Sequence, residues 1–129
     1  LIDDSLVRGT TCHKIVKMLY ESGAKEVHVR IACPEIKYPD FYGVDMPSKK
    51  ELLANEKNNQ EICEYINAKT LKFLSLNGLY KALVGEKRNP NSPQFSDHYF
   101  TGDYPIKPSD NLQGLKIKQL SLLSGKSNS

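Results

Sequence analysis

Apolar residues recur at helical spacing just after the first ten positions of the chain. Within the run from Thr10 to Ser22 they follow the i, i+3, i+4, i+7 pattern: Cys12, Ile15, Val16 and Leu19. This spacing predicts an amphipathic helix with one buried face. Gly23 follows it and is a typical residue for ending a helix.

Between Glu26 and Ala32, apolar and polar residues alternate, which places Val27, Val29 and Ile31 on the same side of an extended chain. That pattern predicts a half-buried strand. The apolar pair Leu1-Ile2, which precedes two acidic residues, is interpreted as the end of an earlier strand. A strand, a helix and a second strand form a crossover unit with parallel strands, whose ligands bind beyond the carboxyl ends of the strands.

Shorter elements are predicted along the rest of the chain. After an irregular stretch at 36–47, Ser48 and Glu51 have the spacing of a capping box that opens a short helix. The remaining predicted elements are a helix at 59–66, an extended segment at 71–74, a helix through Leu79 to Val84 capped by Ser75 or Asn77 and closed by Gly85, a polar loop at 86–98 and an aromatic turn at 100–105.

The order of these elements predicts an α/β fold in which a parallel sheet has flanking helices. Residues 1–105 are assigned to that unit, and 106–129 to a tail with one helix at 115–123 and disorder from residue 124. The chain starts without Met and inside a strand-like segment, and a parallel strand needs neighbours. We therefore expect the N-terminal portion of the fold to be missing, with mostly helical and irregular segments at the C-terminal end.

The composition of the chain argues against several classes of function. The chain has 129 residues, enough for one domain, and its net charge of +3 is spread over mixed Lys, Glu and Asp. Without a basic patch, nucleic-acid binding is not expected. No apolar run is long enough to span a membrane. Three separated cysteines, Cys12, Cys33 and Cys63, indicate neither a disulfide framework nor a zinc site, and favour a cytoplasmic location.

Asp3 and Asp4 are the first residues whose chemistry needs an explanation. Adjacent carboxylates at a strand end repel each other, and they need a cation or hydrogen-bond donors such as sugar hydroxyls. An isolated Asp-Asp pair more often consists of one loop cap and one solvated side chain. The loop that follows favours binding instead, because it ends in Gly9 at a predicted helix start.

Gly9, Thr10 and Thr11 have the composition of an anion cradle. Glycine lets the backbone approach a phosphate, and the amide groups of a helix start point towards it. For three such residues alone, an ordinary turn and helix cap is the commoner explanation. The spacing matches neither a Walker loop nor a dinucleotide fingerprint, which need further glycines. Acids one loop away from such a cradle therefore favour a sugar-phosphate site.

The segment Leu1 to Thr11 resembles the phosphoribosylpyrophosphate (PRPP) loop of type I phosphoribosyltransferases. Within that group, the stretch from Ser5 to Thr11 is similar to the glutamine PRPP amidotransferases, which begin purine synthesis. Three later segments also resemble this family: Tyr38 to Ser48, Leu74 to Leu79 and Phe100 to Pro105.

The resemblance implies a role for each residue of the loop. The two acids would contact the ribose hydroxyls and help to place Mg²⁺, and the end of the loop would hold the 5-phosphate. The implied substrate-binding set is Asp3, Asp4, Ser5, Arg8, Gly9, Thr10 and Thr11, with Asp3 and Asp4 also at the metal. In the family, ammonia released from glutamine in a separate N-terminal domain displaces pyrophosphate from PRPP and gives 5-phosphoribosylamine. A homo-oligomer is implied for the full-length enzyme.

Departures from the family pattern limit what is expected here. Iron-sulfur members have cysteines where this chain has Asp40, Ser96 and Tyr99, so no iron-sulfur cluster is expected. The glutaminase part and the earlier phosphoribosyltransferase strands are not in the sequence, so the chain alone is expected to be inactive. Two alternatives are a salvage phosphoribosyltransferase, which would not carry the segment at 38–48, and a PRPP-sensing regulator, which would carry a basic nucleic-acid-binding face.

Other polar and aromatic residues receive a structural interpretation. His13, His28 and His98 are assigned no role, and His13 is expected to be a solvated residue beside lysines. The aromatic residues at positions 38, 41 and 42 are expected to pack their loop against the sheet rather than to line the site.

Overall fold

In the computed structural model, which describes residues 1–42 and 48–106, a three-stranded sheet is flanked by helices. The strands are β1 (Ile2–Asp3), β2 (His28–Ile31) and β3 (Thr70–Phe73), and they lie in the order β1-β2-β3 with both neighbouring pairs parallel. The predicted α/β architecture is therefore confirmed. The tail helix predicted at 115–123 and the disorder predicted from 124 lie outside the described residues, as does part of the segment at 38–48.

The helices within the described ranges are α1 (Thr10–Glu21), α2 (Leu53–Glu56), α3 (Asn59–Tyr65), α4 (Leu76–Val84) and α5 (His98–Thr101). The prediction of a single helix after Ser48 was wrong in one detail. A 3₁₀ turn at Lys49–Glu51 comes first, and the buried, extended Leu52 separates it from α2. No helix in these ranges is long and apolar enough to cross a membrane.

One face of the sheet carries the main core. Along β2, Val29 and Ile31 are buried while His28 and Arg30 are exposed, as the alternation predicted. Val16 of α1 and Ile62 of α3 are completely buried in the same cluster. Each such side chain stabilises the fold by about 1.5–3 kcal/mol. This core fixes the end of β1 relative to the start of α1.

The helix predicted through Leu79 to Val84 is present as α4, whereas α5 was not predicted as a helix. In α4 it is Tyr80 that is buried, whereas Leu83 is 60% exposed, because the packed side of this short helix faces the polar loop at 86–98. Ser75 is the residue that caps α4, accepting from the Gly78 N–H. The turn predicted at 100–105 contains the end of α5, which stops at Gly102 with φ +77°.

The described part of the aromatic loop after β2, residues 38–42, packs against the segment 98–106, whereas the prediction packed it against the sheet. The Tyr42 hydroxyl donates to the Ile106 carbonyl at 2.7 Å, and the Tyr104 hydroxyl donates to the Pro39 carbonyl at 2.9 Å. The rings of Phe41 and Tyr104 lie 5.2 Å apart. These partners are about sixty residues away in sequence, beyond the reach of any local pattern.

Candidate functional site

The loop between β1 and α1 encloses a cleft of about 330 Å³. Its wall is the unbroken run from Asp3 to Cys12. This run contains every residue of the predicted binding set: Asp3, Asp4, Ser5, Arg8, Gly9, Thr10 and Thr11. The structure therefore brings these residues together around one cleft, while their binding roles stay a prediction.

A larger cleft, of about 510 Å³, lies beyond the ends of β2 and β3. Glu35 and Lys37 in its wall neutralise each other across 2.6 Å. Size alone does not identify a site, and the smaller cleft is the better candidate because carboxylates and helix amides converge on it.

Asp3 and Asp4 each use one carboxylate oxygen to order the loop. Oδ1 of Asp3 accepts from the Asp4 N–H at 3.0 Å, and Oδ1 of Asp4 accepts from the N–H of Ser5 at 2.7 Å and from its hydroxyl at 3.3 Å. Within residues 1–42 and 48–106, the Oδ2 atoms of both acids have no hydrogen-bond partner. Two oxygen ligands thus remain for a cation or for sugar hydroxyls.

The start of α1 forms the other side of the cleft. Gly9 has φ +73°, a left-handed conformation that favours glycine, and the first helical bond runs from the His13 N–H to its carbonyl at 2.9 Å. No side chain of the described residues caps this helix, and its first turn holds no acidic residue. The amides of Thr10, Thr11 and Cys12 are therefore open to an external anion.

Residues far along the chain support the back of this loop. The Leu53 N–H donates to the Val7 carbonyl at 2.9 Å. A Cβ added to Gly9 would lie 2.7 Å from Cδ2 of Leu53 and 3.0 Å from Cε1 of Tyr65. The glycine is thus required by its contacts as well as by its φ angle. Sequence analysis did not identify Leu53 and Tyr65 as part of the site, because such contacts leave no local spacing signal.

Arg8 lies at the rim of the cleft with a charged partner. Its Nη2 donates to Oε1 of Glu51 at 3.0 Å. The other oxygen of Glu51, Oε2, accepts from the N–H and the hydroxyl of Ser48 at 3.0 and 2.9 Å. The two bonds from Ser48 are the main reason that the pKa of Glu51 lies below its usual value, and the charge of Arg8 lowers it further. The predicted capping box is present, and its glutamate has this second partner.

His13 has a definite contact, so its description as a solvated residue was wrong. Its Nδ1–H donates to the Tyr65 carbonyl at 2.9 Å, and the two rings lie 6.0 Å apart. This bond ties the first turn of α1 to the end of α3. It holds the wall behind Gly9 in place.

Cys12 lies at the inner end of the cleft. Burial, and after it the charge of Asp3, raises the pKa of its thiol. Burial is also the main cause of the raised pKa values of Cys33 and Cys63. Thiols with raised pKa values are protonated at neutral pH and are poor nucleophiles. The interpretation of Cys12 as a core residue is confirmed by its burial.

The three positions that the resemblance compares with the cysteines of iron-sulfur enzymes meet in a separate cleft of about 310 Å³. Asp40, Ser96 and Tyr99 line it together with His98. His98 is 2% exposed, and its Nε2 lies 2.7 Å from Oδ1 of Asp40. A buried polar contact therefore joins the loop after β2 to α5. That this chain holds no cluster stays a prediction.

A second group of charges lies away from the candidate site, and we name it the Arg88 cluster: Tyr80, Arg88, Asp97 and Asp103. Arg88 Nε donates to Asp97 Oδ2 at 2.5 Å, and its Nη2 donates to Asp103 Oδ2 at 2.5 Å. The Tyr80 hydroxyl donates to Asp97 at 2.7 Å. Burial alone would raise the pKa of Asp97, but the bonds from Arg88 and Tyr80 outweigh it and the pKa is lowered.

Comparison with known proteins gives consistent results. No protein-family model matches the chain. Amidophosphoribosyltransferase of Rhizobium etli is 54% identical over 125 residues, which are 96% of this chain and 25% of that protein. Amidophosphoribosyltransferase 1, chloroplastic, of Arabidopsis thaliana is 49% identical over 92% of this chain and 19% of its own length. The chain thus spans about a fifth to a quarter of the curated relatives it matches.

Solved structures agree with these relatives. The glutamine PRPP amidotransferase of B. subtilis, complexed with ADP and GMP, superposes with a TM-score of 0.75 at 44% identity, over 84% of this chain and 24% of that chain. A structure described as the allosteric regulatory enzyme of purine biosynthesis gives a TM-score of 0.73, also at 44% identity, over 84% of this chain and 23% of that chain. The parallel sheet with its flanking helices is therefore part of a type I phosphoribosyltransferase fold.

Proposed function

We propose that this chain, which is about half identical to amidophosphoribosyltransferases over most of its length and shares the fold of one part of them, carries the PRPP-binding loop of such an enzyme. The observation that supports this most directly is the cleft itself. Its wall contains two aspartates that each keep one unused carboxylate oxygen, together with the uncapped start of α1.

The two sides of the cleft bind different parts of the ligand in this proposal. Asp3 and Asp4 accept hydrogen bonds from the ribose hydroxyls, because both keep an oxygen that the loop does not use. The amides at the start of α1 and the hydroxyls of Thr10 and Thr11 bind the 5-phosphate, with Arg8 adding a positive charge. A ligand that has both groups at the right separation is selected over phosphate alone.

The donor set also fits Mg²⁺. Carboxylate oxygens are ligands that Mg²⁺ prefers, and it usually takes one or two of them together with water and substrate phosphates. In the described ranges, no group of three His, Cys, Asp or Glu side chains could hold a metal unaided. Asp3 and Asp4 would therefore hold the ion jointly with PRPP. When bound, Mg²⁺ neutralises charge on the pyrophosphate leaving group.

The reaction of the whole protein is proposed to be the formation of 5-phosphoribosylamine from PRPP and ammonia released from glutamine. The ribose carbon that ammonia attacks becomes cationic as pyrophosphate leaves. Residues of this chain hold the ribose and its phosphate in position, and the carboxylates stabilise the positive charge. No proton transfer is assigned to them. Each residue of the loop is thus a binding and orienting group.

Several partners follow from the same proposal. The glutaminase part and the rest of the phosphoribosyltransferase domain complete the active site in a homo-oligomer, and the chain alone is inactive. The same proposal also gives a cytoplasmic location for this protein, although two Arabidopsis relatives are named chloroplastic.

The variant Asp3→Asn/Asp4→Asn in the full-length protein tests the proposal. We expect it to abolish PRPP-dependent formation of phosphoribosylamine while glutamine hydrolysis continues at a basal rate, since only ribose and metal binding are lost. Both activities are measured on the same preparation. The matched control Glu21→Gln/Glu56→Gln removes the same charge from exposed positions and should keep both. Undiminished phosphoribosylamine formation in the Asn variant would refute the assignment.

A further inference from the structure

Arg8 is paired with a protein carboxylate and also lines the cleft that is proposed to bind a phosphate. Arg8 is part of the wall of the cleft that is proposed to bind the 5-phosphate, and its Nη2 donates to Glu51 Oε1 at 3.0 Å. The cleft wall runs from Asp3 to Cys12, so Glu51 is outside it. Arg8 therefore lies between a protein carboxylate and a ligand site.

The two partners of this ion pair differ in how firmly they are held. One oxygen of Glu51 is fixed by the N–H and hydroxyl of Ser48, which leaves the other oxygen for the arginine. Among the described residues, Arg8 has this single hydrogen bond, and its side chain is 57% exposed. The carboxylate is thus the fixed partner, and the guanidinium is the one that can move.

Energetics favours exchange of Arg8 between the two anions. An exposed ion pair with one contact contributes about 0–1 kcal/mol. A phosphate that also binds the helix amides can accept two parallel bonds from a guanidinium, an interaction roughly twice as strong as a neutral hydrogen bond. The backbone of the loop stays in place, because Val7 is bonded to Leu53 and Gly9 packs against it. Only the arginine side chain has to rotate.

We propose that Glu51 is an internal counter-anion for Arg8: in the ligand-free protein it holds the guanidinium at the rim of the cleft, and the 5-phosphate of the substrate replaces it. This inference rests on the proposed function of the cleft. Glu51 is then a positioning residue that acts through Arg8. It sets the affinity for the phosphate end of the ligand and leaves the chemical step unchanged.

The test compares Glu51→Gln with the wild type in the full-length protein, because glutamine keeps the shape and the bond to Ser48 but removes the charge. We expect the KM for PRPP and the Kd for inorganic phosphate to fall by about two- to fivefold, the equivalent of a surface ion pair, with kcat unchanged. The control Ser48→Ala weakens the capping box and keeps the charge, so neither constant should fall. A merely structural role for Glu51 would make both variants behave alike.

A double-mutant comparison then assigns the effect to Arg8. In an Arg8→Ala background, Glu51→Gln should no longer change either constant. An unchanged or raised KM in Glu51→Gln, or a decrease that persists without Arg8, would overturn the inference. If Glu51→Gln does not fold, Glu51→Asp takes its place, since it withdraws the carboxylate from Arg8 and should also lower both constants. If the full-length wild type binds inorganic phosphate but shows no activity with PRPP, the proposed function is refuted and the inference about Glu51 is not. The phosphate titration measures the replacement of Glu51 at Arg8 without using PRPP.

Discussion

The candidate site and the Arg88 cluster are both rich in charge, but they are built in opposite ways. In the cluster, the Asp97 side chain is 4% exposed and accepts bonds from Arg88 and Tyr80. In the site, Asp4 is exposed, and within the described ranges it is bonded only to the residue that follows it. The cluster is internally satisfied, whereas the site retains capacity to bind.

This difference separates charge that stabilises the fold from charge that is left available to a ligand. A buried charge needs its partner permanently, because an unpaired one costs several kcal/mol. A binding loop must keep oxygens and amides unpaired, so its own rigidity has to come from elsewhere. Here that rigidity comes from Leu53 and Tyr65 behind Gly9. Variants in the two regions should therefore affect stability and binding very differently.

Arg88→Ala is expected to have the largest effect on stability. It leaves the buried Asp97 carboxylate without its cation, which costs about 3–5 kcal/mol. Asp103→Ala removes the other partner of Arg88, which is 61% exposed, and should cost at most about 1 kcal/mol. Urea unfolding of the chain measures both. Equal losses in the two variants would show that burial does not distinguish them.

Gly9→Ala is expected to have the second-largest effect on stability, and it should also weaken binding. Left-handed backbone and contact with Leu53 together cost about 2–5 kcal/mol. Gly85→Ala is the matched control: its φ is +77° but its Cβ would meet no atom within 4 Å, so only the backbone cost of about 1–2 kcal/mol is expected. PRPP binding should be lost in the first variant and kept in the second. Similar stability losses in both would contradict a tight wall behind the loop.

Local sequence patterns predicted much of this molecule. The helical spacing from Cys12 to Leu19, the alternation around Val29 and the caps at Ser48 and Ser75 each depend on residues a few positions apart. The candidate loop was identified from one short segment, because the residues that line its cleft are consecutive. Features of this kind can be identified without knowing the fold.

The supporting contacts could not be predicted, because they join residues far apart in sequence. Arg8 and Glu51 are 43 residues apart, and Asp40 and His98 are 58 apart. Before the fold is known, Glu51 is only a helix cap and His98 only a histidine in a polar loop. Their roles depend on the sheet order and on the packing of short helices, which no single segment encodes.

We propose that the cleft has a sugar-binding side and a phosphate-binding side. The most direct test is to titrate the full-length protein with ribose 5-phosphate and with inorganic phosphate. Wild type should prefer the sugar phosphate by about tenfold or more, since hydrogen bonds to a carboxylate are worth about 1.5–3 kcal/mol. In Asp3→Asn/Asp4→Asn that preference should disappear while inorganic phosphate binds at least as tightly. A folded variant that keeps the preference, or that loses both ligands alike, would contradict the division of the cleft into these two sides.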